Sequence, residues 1–425
     1  MPQNIGASGQ MGIAAEVLGP VQNFVGNPAA GGALTAGTYK YYITAINANG
    51  ETAIVVGTTT EVTVTTSAGN LTAALTWNAL TGATGYKIYR TASGGATGTE
   101  LLLTTLGAVT SFNDAAVGAP AGAFPLINSA SVSGTYVAPT KFFPFNNESL
   151  KFVQETVWRR PIRKSADIIG AVQGNAHVEG DIEMEALEDV VPYFLLASRT
   201  SCAKTGSSPN FVYTFTPTPA GLPVRSLSIT IERNTGVVFG YVGCVVSQFK
   251  FSISDGLLMF SVSIIGQDEA SQSTPVPAFT TTVPFGAGQY SVEIPTASAV
   301  FDVDTFEWTC NDNATAQFRL KNTGRGAQFV SYGERAMGLT CERDFVNRSD
   351  FDGFKALTSQ TITITASKGV NNLITLLTAV AIKDTYEVAL SGEGDLVRAS
   401  IAYQIPIDGS GNSYNITIKT QEQLT

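Results

Sequence analysis

The chain has 425 residues and a mass of 44.6 kDa, a length that predicts two or three domains. Its 25 Lys and Arg residues against 34 Asp and Glu residues give a net charge of -9, which disfavours a surface that grips nucleic acid throughout. Only 14% of the residues are charged, whereas an average globular domain has about 25%. Much of the surface must therefore carry small polar residues or be covered by other subunits.

Signals for export and for membrane insertion are missing from the sequence pattern. The first 39 residues contain no Lys or Arg, so they lack the positive segment that begins a secretory signal peptide. The longest apolar stretch, Leu373–Ile382, is shorter than the ~18 residues that a membrane-spanning helix needs. We therefore expect a protein that is not exported and has no membrane partner.

Residue patterns that carry chemistry are sparse. The four cysteines form no CxxC pair and His177 is the only histidine, so neither a metal site nor a Ser-His-Asp triad is indicated. No P-loop, GxSxG, HExxH or EF-hand pattern occurs. We expect reduced thiols, no cofactor, no metal and no enzymatic activity. The cysteines are Cys202, Cys244, Cys310 and Cys341.

Most of the chain has the period-two alternation that is typical of β-strands. In Leu227–Ile264, apolar and polar residues alternate on both sides of the turns at Asn234–Gly236 and Asp255–Gly256. Asp-Gly is a dipeptide favoured in tight hairpins. The sequence therefore predicts a mainly β fold built from antiparallel strands.

Two segments have helical spacing. Glu183–Ser198 places apolar residues on one stripe, with acidic residues in the first turns, where the helix dipole favours them. Pro192 indicates that this helix begins late or is kinked. Ser349–Leu357 begins with a residue type that caps helices and also has one apolar stripe. Both helices are expected to be short.

Residues 23–133 differ in composition from the rest of the chain. Gly, Ala and Thr dominate, and the flanking stretches NPAAGGALTAG and GAPAGAFP are typical of linkers. Alternating segments predict about seven short strands in this region. The strings GTYKYYITAINANGET, LTWNALTGATGYKIYR and TSFND resemble the fibronectin type III-like modules of phage virion proteins, although the tyrosine-rich motif comes first here. We expect an inserted Ig-like β-sandwich that is circularly permuted or merely similar to that fold.

The remaining sequence resembles one domain that this module interrupts. The motif GASGQMGIAAEVLG (Gly6–Gly19) resembles the opening of siphophage tail tube proteins, and the usual Pro-Phe-rich continuation is found at Val137–Phe152. A basic Arg-Pro-Ile-Arg loop, a Gly-bounded strand and an acidic helix then follow in the order of that family. The resemblance implies an N-terminal segment at residues 1–22 and a tail-tube β-sandwich or barrel unit from residue 134 onward.

The tail-tube part contains an internal similarity. Phe249–Ile264 and Tyr386–Ile401 both have the pattern of a hairpin, and each comes after a short helix that follows a Gly-bounded strand. We therefore predict two copies of one unit, residues 134–272 and 273–425. The resemblance implies six-fold rings of such units, so two units per chain predict rings of three chains, whereas one unit per chain requires six.

The function implied by the resemblance is structural. The chain is expected to polymerise in the host bacterial cytoplasm into stacked rings of a phage tail tube, the conduit for genome ejection from the virion. Its partners are then further copies, neighbouring rings, tail tip and tail terminator proteins, and genomic DNA that passes without specific binding. The insert is expected to decorate the outside, with weak multivalent binding of host surface glycans as a further role.

The alternative function is that of a carbohydrate-binding virion or surface adhesion protein. It depends on aromatic side chains of the insert forming a surface for sugars, although alternation assigns most of them to the core. These aromatic residues are Tyr39, Tyr41, Tyr42, Trp77, Tyr86 and Tyr89.

Two charged clusters are candidate sites. The basic cluster after Trp158 is interpreted as a subunit-contact loop, with contact to DNA phosphates as the alternative. The acidic run Asp181–Asp189 is interpreted as helix-start residues and a solvated face, part of which lines the lumen, rather than as a cation site or acid-base pair. The subunit-contact candidates are Gln10, Met11, Glu16, Trp158, Arg159, Arg160, Arg163 and Lys164, and the lumen candidates are Asp181, Glu183 and Glu185.

Overall fold

A computed structural model shows two compact units in the chain. It describes residues 9–57, 59–116, 118–160, 162, 167–218, 225–271, 277, 279–295, 298–300, 303–319, 324–346, 348–389 and 397–424. The first unit joins Met1–Ala15 to Gly134–Leu424, and the second unit is Glu16–Ser133. Residues 16–22, which we expected in the N-terminal segment, group with the second unit.

The second unit consists of two antiparallel sheets. Its strands, numbered after β1 (Gln10–Ala15) of the first unit, are β2 (Val25–Ala29), β3 (Gly37–Ile46), β4 (Val62–Thr66), β5 (Thr72–Thr76), β6 (Gly85–Arg90), β7 (Leu101–Gly107) and β8 (Ser111–Asp114). One sheet has the order β2-β5-β8 and the other the order β4-β3-β6-β7. β2 includes the start of the stretch that we expected to be a linker. It tolerates Pro28 because it is an edge strand, where a missing N–H disrupts no sheet hydrogen bond.

The core of the second unit lies between its two sheets. Alternation places Tyr41 of β3 and Leu75 of β5 in one hydrophobic cluster, and both side chains are fully buried. Strands from both sheets contribute to this cluster, so the two sheets form a sandwich.

A buried ion pair joins the two sheets of the second unit. Arg90 Nη1 lies 2.6 Å from Asp114 Oδ2, and the Tyr41 hydroxyl donates a hydrogen bond of 2.9 Å to the same oxygen. Arg90 and Tyr41 belong to the four-stranded sheet, whereas Asp114 ends β8 of the three-stranded sheet. A buried charge is costly without its partner, so this contact favours one packing of the two sheets.

The first unit contains β1 and the elements that follow residue 140. They are β9 (Lys141–Phe143), β10 (Asn147–Glu148), β11 (Lys151–Arg159), β12 (Gly170–Glu185), α1 (Val191–Leu196), β13 (Thr200–Ser207), β14 (Asn210–Pro217), β15 (Leu227–Asn234), β16 (Val237–Ser254), β17 (Leu257–Gly266), β18 (Asp268–Ser271), β19 (Tyr290–Glu293), β20 (Ala299–Val300), β21 (Val303–Asn311), β22 (Thr315–Gln317), β23 (Phe329–Ser331), β24 (Ala336–Asp344), α2 (Ser349–Lys355), β25 (Ser359–Ser367), β26 (Leu373–Ala389), β27 (Arg398–Gln404) and β28 (Asn415–Thr420). The prediction of a mainly β fold is confirmed.

One antiparallel sheet, which we call the central sheet, runs through the first unit. Its strands are hydrogen-bonded in the order β11-β12-β17-β16-β21-β24-β27-β26. The first half (β11, β12, β17, β16) and the second half (β21, β24, β27, β26) have the same strand order along the chain. Helix α1 follows β12, and α2 follows β24 at the corresponding place. The pairing of β16 with β21 joins the two halves.

In each half, the first part of the longest strand extends beyond the central sheet and pairs with further strands, which we call outer strands. β16 is also paired with β15 and β18, and β26 is also paired with β25 and β28. β1 and β9 then extend the first half through β15, whereas β13 and β14 extend the second half through β28. Buried side chains from both halves form one core cluster.

The first helix is shorter than expected. β12 extends to Glu185 and α1 covers only Val191–Leu196, so Glu183 and Glu185 lie on a strand and not in a helix. Alternating burial along β12 outweighs the local helical pattern. Pro192 lies in the first turn of α1, where its missing N–H costs no hydrogen bond.

Glu188 and Asp189 are buried, although we expected them on a solvated face. Glu188 Oε2 lies 2.8 Å from Lys368 Nζ, and Asp189 Oδ2 lies 2.6 Å from Lys141 Nζ. Burial alone would lower the pKa of Lys141, but hydrogen bonds to Asp189 and Glu422 outweigh it and raise the pKa. The two carboxylates thus hold together segments of the first unit that are far apart in sequence.

We predict that Asp114→Ala destabilises the second unit by about 3–5 kcal/mol, because it leaves the Arg90 guanidinium buried without its carboxylate. Urea-dependent hydrogen exchange of peptides from β3 and β5 in the full chain measures this free energy locally. Lys87→Ala is the matched control: it removes a more exposed pair, with Glu51, and should cost about 1 kcal/mol or less. Equal effects of the two substitutions would contradict the prediction.

Candidate assembly surface

The acidic lumen candidates lie together on one side of β12. Asp181, Glu183 and Glu185 are not buried, whereas Ile182 and Met184 between them are fully buried in the core. Successive side chains of a strand point to opposite faces, so the three carboxylates share the face that looks away from the core. Asp181 Oδ1 accepts a hydrogen bond of 2.6 Å from the Ser263 hydroxyl of β17.

This surface, which we call the polar face, extends across the whole central sheet. The strand registers place polar side chains of every strand beside those of its neighbours. Acidic residues outnumber basic ones on it, and Lys250 Nζ lies 3.2 Å from Glu307 Oε2 across the junction of the two halves. The polar face includes Asp181, Glu183, Glu185, Ser261, Ser263, Gln248, Lys250, Ser252, Glu307, Thr309, Asn311, Thr340, Glu342, Ser400, Gln404, Thr385 and Glu387.

The central sheet has an open side at each end. Among the described residues, Lys151–Val153 of β11 are paired only with β12, and Thr385–Val388 of β26 only with β27. Main-chain N–H and C=O groups on the outer side of an edge strand form a template for pairing with another chain. The two ends of the sheet are therefore candidate contact sites for further copies.

Beyond these residues, β11 and β12 continue as a two-stranded arm, Thr156–Arg159 with Gly170–Gln173. The apolar side chains of this arm are exposed: Trp158 is 58% exposed, Val157 47% and Val172 51%. Apolar side chains grouped on a protruding hairpin mark a surface for protein interaction.

The subunit-contact candidates of the basic cluster lie at the end of this arm. Trp158 and Arg159 are the last residues of β11, Arg160 follows directly, and all three are exposed. Arg163 and Lys164 lie outside the residues that the structure describes. An aromatic ring next to Arg is a common composition in the centre of protein interfaces.

The other three subunit-contact candidates have little free surface. Gln10 and Met11 lie on β1, which is paired on both sides, with β9 and β15. The Gln10 amide donates a hydrogen bond to Glu232, and Met11 is fully buried in the core of the first unit. Glu16 is fully buried in the second unit. These three residues therefore offer little surface to a second copy.

Comparison with known proteins identifies the family. Residues 127–405 match a family model described as phage tail tube protein, and this match covers well over half of the chain. The chain belongs to the phage tail tube protein family. No curated protein matches it.

Family membership settles the broad role of this tail tube protein. It is a structural protein of the virion tail, and the family implies self-assembly into an oligomeric tube. A structural family of this kind also indicates a non-enzymatic protein. In the part of the chain that the structure describes, no helix is both long and apolar enough to cross a membrane.

The histidine and the cysteines, which were considered for catalysis or metal binding, make contacts that support the fold. His177 Nε2 lies 3.4 Å from Glu179 Oε2, and the imidazole ring packs edge-on against Phe318. None of the four cysteines, all of which lie in the described ranges, forms a disulfide. Burial raises the pKa of Cys202 to about 12, which disfavours the reactive thiolate. Within the described ranges, no group of three or more His, Cys, Asp or Glu residues is arranged to hold a metal ion.

The aromatic residues proposed as a sugar-binding surface are all buried. Four of them belong to the core between the two sheets of the second unit, and the other two form a smaller cluster on the far side of the four-stranded sheet, packed against Phe124. Stacking on a sugar needs an exposed ring face, which none of these rings provides. The core residues are Tyr39, Tyr41, Trp77 and Tyr86, and the smaller cluster contains Tyr42 and Tyr89.

Two carboxyl groups that the sequence did not connect meet in the second unit. Glu100 is fully buried and hydrogen-bonded to Glu61, whose Oε2 lies 3.3 Å from Lys40 Nζ. Burial, and then the hydrogen bond to Glu61, raise the pKa of Glu100 to about 7. The pair resembles an acid-base couple, but a carboxyl group without exposed surface cannot reach a substrate. We interpret it as a structural contact between the loops that precede β4 and β7.

This contact predicts that the stability of the second unit depends on pH. The pKa of Glu100 is raised in the folded state from 4.5 to about 7, so the folded state holds an extra proton within that range. Stability should therefore be highest near pH 4.5 and fall as the pH rises through 7. Glu100→Gln, which keeps a donor to Glu61, should remove this fall. Hydrogen exchange of peptides from β4 and β7, measured at pH 5 and pH 8, tests this prediction. The same pH dependence in the unsubstituted chain and in Glu100→Gln would contradict it.

Proposed function

We propose that this tail tube protein closes into rings, that the rings stack into the tube, and that the polar face lines the channel through which the genome leaves the virion. The central sheet carries this proposal. It has one face in the core, one polar and mainly acidic face, and an open strand at each end. Such a sheet can satisfy its edges by pairing with identical neighbours around a closed ring.

The repeated strand order supports a ring of three chains. Each half of the central sheet contributes four strands in the same order, and the β16–β21 pairing already joins one half to the next within the chain. The resemblance implies six units per ring, so three duplicated chains complete it. The tube protein then has a six-unit channel with three-fold symmetry.

The dimensions of such a ring fit its proposed cargo. Six units of four strands, spaced about 4.8 Å apart, give a channel about 37 Å across at the main chain, and strand tilt widens it further. A channel of this size admits a DNA duplex. Its acidic lining repels phosphates, so DNA passes without being held.

Other parts of the chain contribute contacts outside the channel in this proposal. The protruding arm with Trp158, Arg159 and Arg160 contacts a neighbouring chain or ring, and the end rings contact tail tip and tail terminator proteins. The second unit decorates the outer wall. Its two sheets of three and four strands support the assignment of an Ig-like or fibronectin type III-like domain, inserted into a siphophage-type tube protein.

Deleting the second unit tests whether the first unit forms the tube without it. We expect a chain in which a short Gly-Ser linker replaces residues 16–133 to form tubes as the full chain does, because the central sheet belongs to the first unit. Negative-stain electron microscopy shows tubes and the number of chains per ring. Loss of tubes while hydrogen exchange shows a folded first unit would contradict the proposal.

Reversing the charge of the polar face tests the channel. We expect the triple substitution Asp181→Lys, Glu183→Lys and Glu185→Lys to leave tubes intact, because none of these side chains is buried in the core. Virions carrying it should release DNA more slowly at low salt, and the difference should shrink at high salt as phosphate contacts are screened. The neutral set Asp181→Asn, Glu183→Gln and Glu185→Gln is the matched control. DNA release equal to that of the unsubstituted virion at every salt concentration would exclude these residues from the channel.

A further inference from the structure

We propose that the contact between chains copies the β16–β21 junction inside the chain: a second copy lays its Leu150–Val153 segment antiparallel to Thr385–Val388, with Lys151 opposite Glu387. The inference rests on the ring assembly proposed above and specifies which residues of the two copies meet.

The junction inside the chain provides the template. β16 and β21 are antiparallel, with Phe249 opposite Cys310, Lys250 opposite Thr309 and Phe251 opposite Trp308. The junction begins directly after a shift in register between Val246 and Gln248, where β16 turns from its outer strands toward the central sheet.

β26 has the same geometry as β16, but its corresponding side is open. It has a register shift between Lys383 and Thr385, at the place equivalent to the shift in β16. In the second half, Tyr386 lies opposite Ile401 of β27, and Ile401 lies opposite Cys341 of β24. In the first half, Phe249 lies opposite Val262 of β17, and Val262 lies opposite Ile182 of β12. Tyr386 therefore occupies the place of Phe249.

The start of β11 corresponds in turn to β21. Phe152 opposes Val178, which lies four residues before Ile182 on β12. Cys310 opposes Met337, which lies four residues before Cys341 on β24. Phe152 therefore occupies the place of Cys310. Since Phe249 opposes Cys310, Tyr386 of one copy opposes Phe152 of the next.

This register brings opposite charges together. Tyr386 against Phe152 puts Glu387 opposite Lys151 and Thr385 opposite Val153. Lys151 and Glu387 are both exposed. Lys151 Nζ lies 3.2 Å from Glu179 Oε1 of its own chain, whereas in the described residues Glu387 makes no ion pair within its own chain. The junction inside the chain also has a charge pair, Lys250 with Glu307, whose two residues lie diagonally across the strands. Opposite charges directly across two strands favour that register over one shifted by two residues.

Hydrogen-bond alternation fits the same register. The Ser149 N–H donates to the Asp181 carbonyl of β12, so Ser149, Lys151 and Val153 turn their main-chain groups toward β12, while Leu150 and Phe152 turn theirs outward. Leu150 and Phe152 then form the hydrogen-bonded pairs with the second copy. Lys151 and Val153 fall at non-hydrogen-bonded pairs, where opposed side chains lie closest.

The core side of the β26 edge is also incomplete in one chain, whereas on the β11 edge Leu150 is already fully buried and Phe152 is partly buried. Phe249 and Phe251 are fully buried because Trp308 of the next strand covers them. Their counterparts Tyr386 and Val388 are not fully buried, and Val388 is 39% exposed. Phe351 and Phe354 of α2 pack against Tyr386 from within the chain. In the proposed register, Phe152 of a second copy lies opposite Tyr386, and Leu150 lies opposite Val388. Pairing the edges therefore completes an apolar contact as well as a hydrogen-bonded one.

One feature of the single chain must change on pairing. The Leu150 N–H donates to the Glu148 carboxylate at 3.0 Å, and the Leu150 carbonyl accepts a hydrogen bond from Arg233. Arg233 also pairs with Glu148. These side chains satisfy the outer edge until a second copy replaces them, which is one of the ways in which edge strands avoid premature pairing.

Disulfide trapping tests the register. Val153→Cys with Thr385→Cys places two cysteines directly opposite each other, at about 4.5–5.5 Å between Cα atoms, within the range of a disulfide. Val153→Cys with Glu387→Cys is the matched control on the same face, where a diagonal separation of about 7–8 Å is too long. Both variants carry Cys202→Ser, because Cys202 is the cysteine that is not fully buried. Tubes are assembled under reducing conditions, oxidised and separated by non-reducing electrophoresis.

We expect the opposed pair to give covalent dimers and trimers and the diagonal pair to remain monomeric. Tubes that cross-link through the diagonal pair, or through neither pair, would overturn the register while leaving ring assembly intact. Absence of tubes from the unsubstituted chain would instead overturn the proposed function.

Charge reversal provides a second measurement if a cysteine variant fails to assemble. Lys151→Glu and Glu387→Lys should each lower the yield of tubes about fivefold, and the double variant should recover most of it. A double variant that assembles no better than either single variant would overturn the pairing of Lys151 with Glu387.

Discussion

An antiparallel strand at the edge of a sheet has main-chain groups on its outer side that its own sheet cannot satisfy. In the described part of the chain, the central sheet of the first unit has two such strands, β11 and β26, and most of the architecture can be understood around them. One face of the sheet is fixed by the core, so the sheet can grow only sideways, through its edges. Side chains of Glu148 and Arg233 cover part of one edge, which keeps a single chain from exposing all of its hydrogen-bonding groups.

Local sequence patterns predicted the strands well because burial on one face imposes a period of two. Asp255 and Gly256 both have a positive φ, as the tight hairpin predicted from the Asp-Gly pair requires. The same alternation places Asp181 and Glu183 on one face of β12. The helical spacing around these residues led to a wrong prediction, because spacing alone cannot show that this segment pairs with β17 as a strand.

The charged contacts could not be predicted from the sequence because their partners are distant. Glu188 and Lys368 are brought together only by the fold of the first unit, and Glu61 and Glu100 only by that of the second. Before folding, a carboxylate that will be buried looks the same as one that will face water. Acidic residues of this chain therefore have two roles. Some form ion pairs that hold elements together. Others remain on the polar face, where their negative charge acts on molecules close to that face.

In the proposed ring of three chains, the β16–β21 pairing also affects how fast the ring is completed. A contact between two parts of one polypeptide forms at an effective concentration set by the connecting segment, and it does not depend on the supply of free molecules. When two ring positions are covalently joined, every second junction is of this kind. Only every other junction then has to form between separate molecules, so assembly depends less steeply on protein concentration, and partly built rings are fewer while the protein is still scarce.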